Sequence, residues 1–317
     1  MLHEPVSVLI PAFNEAGCIT DVIRDVRRIL KDQAHEIIII DDGSQDGTAA
    51  KAAAEGVRVL LHKRNRGYGA ALKPGILAAR NEAIIIMDAD GTYPAERIPD
   101  LVAALRDVDM VVGMRAKTNM PWNRRPAKWV LRRLAQHITS QAIPDLNSGM
   151  RAFRLKLVMR YFGVVSDRFS FTTTLTVALL SDNYAVEYIP IEYHERIGKS
   201  KIVPWDFVNF TILILRLSML FNPLKLFIPI SFFCFATGAV KFVLDIVFAM
   251  ERTGSPFGLS LFTQPTVSAT AMILLLSGLQ LLLIGMMSDG LARKIAMQNP
   301  GEYRSHAIEE LDTNNGK

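Results

Sequence analysis

The first 115 residues alternate short apolar runs with stretches whose apolar positions recur at helical spacing. Strands buried on both faces of a sheet are almost continuously apolar. The runs therefore predict strands at residues 6–13, 36–41, 57–62, 83–87 and 110–113. The stretches between them predict helices at residues 21–31, 47–55, 70–81 and 95–106. Such alternation indicates an α/β fold with a doubly wound parallel sheet, whose ligands bind beyond the carboxyl ends of the strands.

The pattern changes at about residue 205, where long apolar segments begin. An interfacial amphipathic helix lying on a membrane is expected at 205–223, because residues 205–221 have only three strongly polar members and Asn222-Pro223 ends the segment. Two later segments, 226–250 and 266–288, each exceed the roughly 20 apolar residues that cross a bilayer. The expected organisation is a domain at 1–204, the interfacial helix, a transmembrane hairpin at 224–292 and a polar tail at 293–317.

Charged residues beside the spans predict their orientation. Lys225, Arg293 and Lys294 flank the outer ends of the hairpin, whereas the connection between the spans holds one Arg and one Glu. By the positive-inside rule, the first domain and both termini face the cytoplasm of a multi-pass inner or plasma membrane protein without a signal peptide. Lys241 and Asp245 form either a functional intramembrane pair or, as we favour, an i,i+4 pair near the far interface.

The composition is consistent with a chain made of two dissimilar parts, and it excludes several classes of protein. Half of the residues are hydrophobic and 21% are charged, which suits neither a pure membrane bundle nor an ordinary soluble enzyme. The 20 Gly and 15 Pro are near background, so collagen-like and disordered classes are excluded. With only two cysteines, Cys18 and Cys234, a disulfide framework or Cys-rich zinc site is excluded too. The net charge of +5 suits nucleic acid, anionic lipid or a phosphorylated substrate.

Polar residues cluster where three of the predicted strands end. They are Asn14, Glu15, Asp41, Asp42, Asp88 and Asp90. Asp88 and Asp90 can face one hard cation that also binds phosphate oxygens, or they can cap the helix after Pro94. Because the three strand ends meet at one edge of the sheet, the sequence favours a nucleotide–metal site there.

Four motifs in this region have the order and spacing of a known family. They are PAFNE at 11–15, DDGSQDGT at 41–48, NRGYGAAL at 65–72 and DADGTYP at 88–94. The chain resembles family 2 glycosyltransferases, whose GT-A fold is a Rossmann-like nucleotide-sugar-binding domain. Segments at 145–154, 169–174 and 195–201 resemble polyprenyl-phosphate glycosyltransferases of the dolichol-phosphate mannose synthase and bacterial polyisoprenyl-phosphate glucosyltransferase types.

That resemblance implies a metal-dependent, inverting transfer of a hexose from a nucleotide sugar to polyprenyl phosphate, for glycan or cell-envelope assembly. UDP-glucose is the favoured donor, GDP-mannose is the alternative, and Mg²⁺ or Mn²⁺ is the expected cofactor. A catalytically silent membrane scaffold is an alternative of another class. Membrane lipids are expected neighbours, and homotetramers occur among relatives of this type.

The resemblance also implies roles for individual residues. Asp88 and Asp90 would hold the metal against the donor diphosphate, and the reacting centre would include Asp90, Asp145 and Arg196. The nucleoside pocket would be formed by Pro11, Ala12, Phe13, Glu15 and Asp41. Positive charge for the phosphates would come from Arg115, Arg151, Arg196, Lys199 and Lys201. Asp145 would be a base or an orienting group, and we favour orientation because a phosphate monoester is already largely ionised at neutral pH.

Two departures from the family pattern weaken inferences about the metal ligands and the sugar. Thr92 stands where mannose synthases often have Gln, and Thr174 stands where an acid is common.

A basic cluster has three interpretations: nucleic-acid binding, anionic lipid binding or a solvated helix face. It comprises Arg124, Arg125, Lys128, Arg132 and Arg133. Because no groove-reading module accompanies it, we expect no nucleic-acid partner and favour lipid. A processive polysaccharide synthase is disfavoured, since it would need more spans and a Gln-x-x-Arg-Trp motif.

Overall fold

The computed structural model describes residues 4–115, 125–165, 171–194, 221–253 and 267–296, and also residues 212, 215, 216, 218 and 219. The described residues divide into two compact units, the first before residue 215 and the second after residue 214. The predicted interfacial helix at 205–223 falls largely outside the described residues. So do the predicted site residues Arg196, Lys199 and Lys201.

The first unit alternates strands and helices as the apolar pattern predicts. Its strands are β1 (Val6–Ala12), β2 (His35–Asp41), β3 (Arg58–Leu61), β4 (Ala83–Ile86), β5 (Met110–Arg115), β6 (Arg151–Arg154) and β7 (Val186–Ile191). Its helices are α1 (Ile19–Ile29), α2 (Thr48–Ala54), α3 (Tyr68–Ala78), α4 (Ile98–Ala104), α5 (Arg125–Thr139), α6 (Leu155–Arg160) and α7 (Phe171–Ser181). A 3₁₀ turn, Ala95–Arg97, precedes α4. The predicted α/β class is confirmed.

Seven strands form one sheet in the order β3-β2-β1-β4-β6-β5-β7. All its pairs are parallel except those of β6, which is antiparallel to both β4 and β5. The prediction of a parallel sheet is therefore wrong at β6, a four-residue strand with Arg at both ends and no apolar run. Because Arg151 pairs with Ile86, the segment before β6 reaches the sheet at the carboxyl edge of β4.

The core lies on both faces of this sheet. All seven residues of β1 are buried. Helix α1 buries Ile19, Val22, Ile23 and Val26, whose spacing of three and four residues is that of one helix face. Chain order reverses between β1 and β4, since β2 and β3 lie on one side of β1 and β4 on the other. Such a switch point opens a crevice at the carboxyl ends of the strands.

The second unit is an antiparallel helical hairpin of α8 (Pro223–Thr253) and α9 (Ala269–Ala296). Small residues bring the two backbones together: a Cβ on Gly285 would lie 2.7 Å from Phe227 Cβ, and one on Gly278 would lie 3.1 Å from the Phe235 ring. The buried Ser231 hydroxyl donates a 2.7 Å hydrogen bond to the Gly278 carbonyl. These contacts match the tendency of small and hydroxyl residues to join membrane helices.

Both hairpin helices are long and apolar enough to cross a membrane. Only 6% of the most apolar window of α8 and 17% of that of α9 is buried, so neither resembles the core helix of a soluble domain. The predicted Lys241–Asp245 pair forms within α8. Asp245 also accepts hydrogen bonds from the Ser268 amide (2.9 Å) and hydroxyl (2.6 Å), which ties the end of α8 to the start of α9. Helix α9 continues four residues into the predicted tail, to Ala296.

Candidate active site

The loops that follow β1 and β2 are hydrogen-bonded to each other. The backbone amide of Asn14 donates to Ser44 Oγ (2.9 Å), and that of Glu15 donates to Thr48 Oγ1 (2.9 Å). Asn14 has a φ of 56°, in the left-handed region that Asn tolerates better than most residues. The turn and these bonds hold the two loops together at the carboxyl edge of the sheet.

The residues predicted to form a nucleoside pocket meet at this edge. They are Pro11, Ala12, Phe13, Glu15 and Asp41. Ala12 and Asp41 are register partners at the ends of β1 and β2. The Asp41 carboxylate is buried and accepts a 2.9 Å hydrogen bond from the Ser44 amide.

Asp42 anchors the loop that leads into α3. Its carboxylate contacts His62 Nδ1 at 2.7 Å and accepts hydrogen bonds from the amides of Arg66 (2.9 Å) and Gly67 (2.8 Å). The same loop passes Gly43 so closely that a Cβ there would lie 2.7 Å from the Arg64 carbonyl carbon. Asp42 thus fixes the position at which Tyr68, the first residue of α3, enters the site.

Tyr68 and Gly149 hold the Asp88 carboxylate. The Tyr68 hydroxyl donates to Asp88 Oδ1 at 3.0 Å. A Cβ on Gly149 would lie 2.6 Å from both Asp88 oxygens, so a larger residue there would displace the Asp88 carboxylate. Burial, and then the Asp88 charge, raise the pKa of Tyr68, which keeps its hydroxyl a donor. The sequence motifs did not single out Tyr68, although it lies in the NRGYG stretch.

Asp90 is 7% exposed and binds its own turn with one oxygen. Its Oδ1 accepts from the Thr92 amide (3.2 Å) and hydroxyl (2.6 Å), and no side chain in the described part of the chain caps the 3₁₀ turn or α4, so the alternative of a helix-capping role is not observed. Among the described residues, three or more His, Cys, Asp or Glu side chains never converge on a potential metal position. Two carboxylates fit Mg²⁺ or Mn²⁺ nevertheless, because such ions take one or two carboxylates and complete their shell with water and phosphate oxygens.

Arg115 and Asp145 form a two-bond ion pair. Arg115 Nε and Nη2 donate to the two Asp145 oxygens, each at 2.8 Å. Burial alone would raise the pKa of Asp145, but the hydrogen bonds and charge of Arg115 outweigh burial and lower it. The Arg115 guanidinium also lies 5.5 Å from the ring centre of Tyr193, whose ring meets that of Tyr93 edge-on at 5.2 Å. A partly buried, ionised carboxylate and an aromatic wall therefore lie side by side.

Arg151 has a different role from the phosphate contact expected of it. Its side chain is 0% exposed, and its guanidinium donates to the carbonyls of Leu146 and Thr172 (2.8 and 2.9 Å) and to the Thr176 hydroxyl (2.5 Å). Nε donates to the Ser148 carbonyl at 2.8 Å. Because its N–H groups already donate to protein oxygens, Arg151 joins the Asp145 loop to α7 instead of facing a substrate. Burial lowers the pKa of Arg151.

Two family descriptions together match most of the chain. "Glycosyl transferase family 2" matches residues 7–162, and "GtrB C-terminal hairpin" matches residues 222–293. The chain belongs to the family 2 glycosyltransferases. The motifs that predicted this family lie within the first match, and α8 and α9 account for the second.

Three curated relatives of this glycosyltransferase are named as dolichyl-phosphate or undecaprenyl-phosphate sugar transferases. A dolichyl-phosphate hexose transferase of Haloferax volcanii is 29% identical over 206 residues, covering 64% of this chain and 88% of that protein. An undecaprenyl-phosphate 4-deoxy-4-formamido-L-arabinose transferase of Sodalis glossinidius is 32% identical over 222 residues, 66% of each chain. The protein of the same name from Aeromonas hydrophila is 28% identical over 300 residues, 91% of this chain and 88% of that one.

Solved structures confirm the GT-A fold of this glycosyltransferase. Glucosyl-3-phosphoglycerate synthase of Mycobacterium tuberculosis, crystallised with Mn²⁺, UDP and glucosyl-3-phosphoglycerate, matches with a TM-score of 0.56 at 20% identity. The match covers 68% of this chain and 79% of that one. The same enzyme has also been crystallised with Mg²⁺ and UDP.

The glycosyltransferase fold brings most of the predicted site residues together and adds others. Tyr68 donates to Asp88, and Asp42 fixes the loop that leads to Tyr68. The Tyr193 ring packs on Tyr93 and lies beside Arg115. Tyr68 and Tyr93 belong to the NRGYGAAL and DADGTYP motifs, but the sequence alone assigned them no role.

The predicted basic cluster is only partly described. Arg124 falls outside the described residues, and the other four cations lie on α5. On that helix, the Arg133 guanidinium lies 5.6 Å from the ring centre of Trp129, whose side chain is exposed.

Proposed function

We propose that this glycosyltransferase transfers a hexose from a nucleotide sugar, with UDP-glucose favoured, to polyprenyl phosphate with inversion at the anomeric carbon. The observation that carries the proposal is a family 2 domain followed by a GtrB-type hairpin. Relatives named for transfer to dolichyl and undecaprenyl phosphate support the acceptor class. UDP-glucose is the favoured donor because the two-span C-terminal hairpin resembles that of the glucosyltransferase-type members.

On the donor side, the residues at the ends of β1 and β2 bind the nucleoside and those after β4 bind the diphosphate. Pro11, Ala12 and Phe13 shape the pocket, while Glu15 and Asp41 contact the nucleoside. Asp88 and Asp90 hold Mg²⁺ or Mn²⁺, which supplies positive charge to the leaving diphosphate. The bonds from Tyr68 to Asp88 and from Thr92 to Asp90 orient these carboxylates.

Asp145 orients the reactants and does not act as a base. Its carboxylate is clamped by Arg115, which lowers its pKa and so weakens it as a proton acceptor. The acceptor is a phosphate monoester with a second pKa of about 6, so it is already a dianion at neutral pH. One displacement by this oxygen forms the new glycosidic bond and releases the nucleoside diphosphate.

On the acceptor side, the hairpin keeps the enzyme at the membrane that holds the lipid. Arg115, Arg196, Lys199 and Lys201 supply positive charge for the phosphates. Extracting a polyprenyl chain would cost about 0.8 kcal/mol per exposed CH₂, so reaction at the interface avoids a large penalty. We place the protein in the inner or plasma membrane, with the first unit and both termini in the cytoplasm.

The test uses membranes that contain the full chain, undecaprenyl phosphate and Mg²⁺ or Mn²⁺. Radiolabelled UDP-glucose, UDP-galactose, UDP-GlcNAc and GDP-mannose are supplied separately, and label is measured in the organic phase. We expect label from UDP-glucose that is lost in Asp90→Ala and kept in Asp100→Ala, an exposed acid paired with Arg97. Label from GDP-mannose alone would select the alternative donor. Folded protein that labels lipid with none of the four contradicts the proposal and favours the scaffold alternative.

A further inference from the structure

A strongly polar side chain lies at the centre of the apolar span of α9. The span runs over 23 residues, Ala269–Leu291, and Gln280 is its middle residue. The Gln280 side chain is exposed on the helix surface, and among the described residues its amide has no hydrogen-bond partner. Hydrocarbon offers no hydrogen bonds, so an amide at this depth gains a large advantage from any polar partner.

Gln280 belongs to a regular row of exposed residues, which we call the outer seam. The outer seam consists of Ile273, Leu276, Gln280, Leu283 and Met287, all exposed. Successive members are three, four, three and four residues apart. That spacing is the a/d pattern by which two helices pack along their length. Gln280 is therefore the central a position, where a single polar residue sets register and partner number.

The outer seam faces away from α8. The face of α9 that packs on α8 carries the buried residues Ala271, Gly278 and Gly285, also seven apart. The first outer-seam residue, Ile273, is two positions beyond Ala271, which is about 200° around a helix. The packing of α9 on α8 therefore does not cover the outer seam, which can contact another partner.

We propose that the outer seam of α9 pairs with the outer seam of a second copy of this chain, with the two Gln280 amides hydrogen-bonded to each other. An amide carries both donors and acceptors, so two identical residues complement one another. Copies inserted in the same direction are related by a two-fold axis along the membrane normal, which sets each a position against its own equivalent. Lipid chains on this face would leave the amides without partners.

The proposal rests on the hairpin crossing a membrane and not on the identity of the sugar or the acceptor. It predicts pairs, and pairing by itself does not build a homotetramer.

Cysteine cross-linking tests the geometry. In a Cys18→Ser, Cys234→Ser background, Met287→Cys lies in the outer seam, and Met286→Cys is a matched control. Both methionines are exposed, at 70% and 57%, but Met286 points about 100° away. We expect oxidised membranes to give several-fold more disulfide-linked dimer from Met287→Cys. Equal dimer yields from the two variants would overturn the proposal.

Substitution of the amide tests its chemistry. The dimer fraction of labelled protein is counted by single-molecule photobleaching in vesicles over a range of protein-to-lipid ratios. We expect Gln280→Leu to raise the dimer dissociation constant by about 3- to 30-fold, and Gln280→Asn to recover part of the loss because it keeps an amide. An unchanged or lower constant in Gln280→Leu refutes the amide pair. Neither experiment needs turnover, so failure of the transferase assay would leave both results valid.

Discussion

At the scale of single residues, the charge on Asp145 is decided by competition between burial and its arginine partner. Burial opposes ionisation, but Arg115 supplies two charge-assisted hydrogen bonds, which are stronger than neutral ones. Because the balance lowers the pKa of Asp145, the carboxylate stays ionised through the neutral range and titrates only in acid. A group in that state positions its neighbours more effectively than it removes protons.

Replacing Asp145 by Asn tests this role. We expect kcat to fall by about 10- to 100-fold because Arg115 loses its anchor. The acid limb of the pH profile should persist, with activity rising through about pH 6 as the acceptor phosphate loses its second proton and levelling above it. Steady-state rates from pH 5 to 9 measure both effects, with Asp100→Asn as the surface control. Loss of the limb in Asp145→Asn would instead identify Asp145 as the base.

Tyr68 controls the orientation of Asp88 through one hydroxyl. We expect Tyr68→Phe to weaken apparent Mn²⁺ affinity by about 10-fold, as is common when a partner of a metal ligand is lost. Electron paramagnetic resonance of free Mn²⁺, in the presence of UDP, reports binding directly. Tyr184→Phe is the control, since its hydroxyl accepts a hydrogen bond from Arg160. Equal affinities in the two variants contradict a positioning role for Tyr68.

At the scale of elements, glycines set how closely segments approach one another. Gly43 and Gly47 both have positive φ, at 78° and 89°, yet only Gly43 meets a neighbouring backbone. We expect Gly47→Ala to lower the free energy of unfolding by about 1–2 kcal/mol, through backbone strain alone. In Gly43→Ala the free energy of unfolding should fall by about 1–3 kcal/mol more, because its Cβ would collide with Arg64 and displace the loop before α3. Thermal unfolding in detergent measures the stability of both variants. Equal losses of stability in Gly43→Ala and Gly47→Ala would rule out the collision.

The hairpin offers a second matched pair of glycines. A side chain at Gly285 would collide with Phe227, whereas one at Gly290 would meet nothing within 4 Å. We expect Gly285→Leu to destabilise the packing of α8 on α9 by about 1–3 kcal/mol, and Gly290→Leu to leave it unchanged or slightly stabilised. Protease resistance in detergent as temperature rises measures the difference. Identical profiles would show that close helix approach contributes little.

At the scale of the whole molecule, the two parts of the chain suit different environments, water for the first unit and a lipid bilayer for the hairpin. The first unit buries its apolar strands within an α/β sheet, whereas α8 and α9 leave most of their apolar surface exposed. Exposed apolar area of this extent is unfavourable in water and favourable in a bilayer. The two sequence patterns therefore correspond to two environments: short apolar runs alternating with helical spacing in the first part, and long unbroken apolar runs in the second.

The orientation in the membrane can be tested with the native Cys18 in a Cys234→Ser variant. The positive-inside rule predicts that Cys18 faces the cytoplasm. A membrane-impermeant maleimide should label it in inside-out vesicles and not in right-side-out ones. Burial, and then the Glu15 charge, raise the pKa of Cys18, so labelling should be slow and should accelerate at higher pH. Labelling only in right-side-out vesicles would invert the proposed topology.

Local hydrophobic patterns predicted the strands and helices before residue 115, whereas the contacts among the site residues depend on tertiary structure. The strands and helices before residue 115 lie within three residues of their predicted positions. The acids Asp41, Asp88 and Asp90 also lie at the strand ends where the motifs placed them. These features follow from the sequence because a buried strand or a bilayer span needs its apolar residues contiguous along the chain.

The antiparallel β6, the burial of Arg151 and the clamp of Arg115 on Asp145 were decided only by the tertiary structure. Each depends on partners at least 20 residues away, such as Ile86 for Arg151 and Arg115 for Asp145. A carboxylate or guanidinium has no preferred partner in the sequence, and its ionisation and exposure are set by whichever groups the fold brings within a few ångströms. The sequence by itself therefore determined the family, the elements before residue 115 and the two long apolar segments, while the folded structure determined which charged groups are buried and which pair with one another.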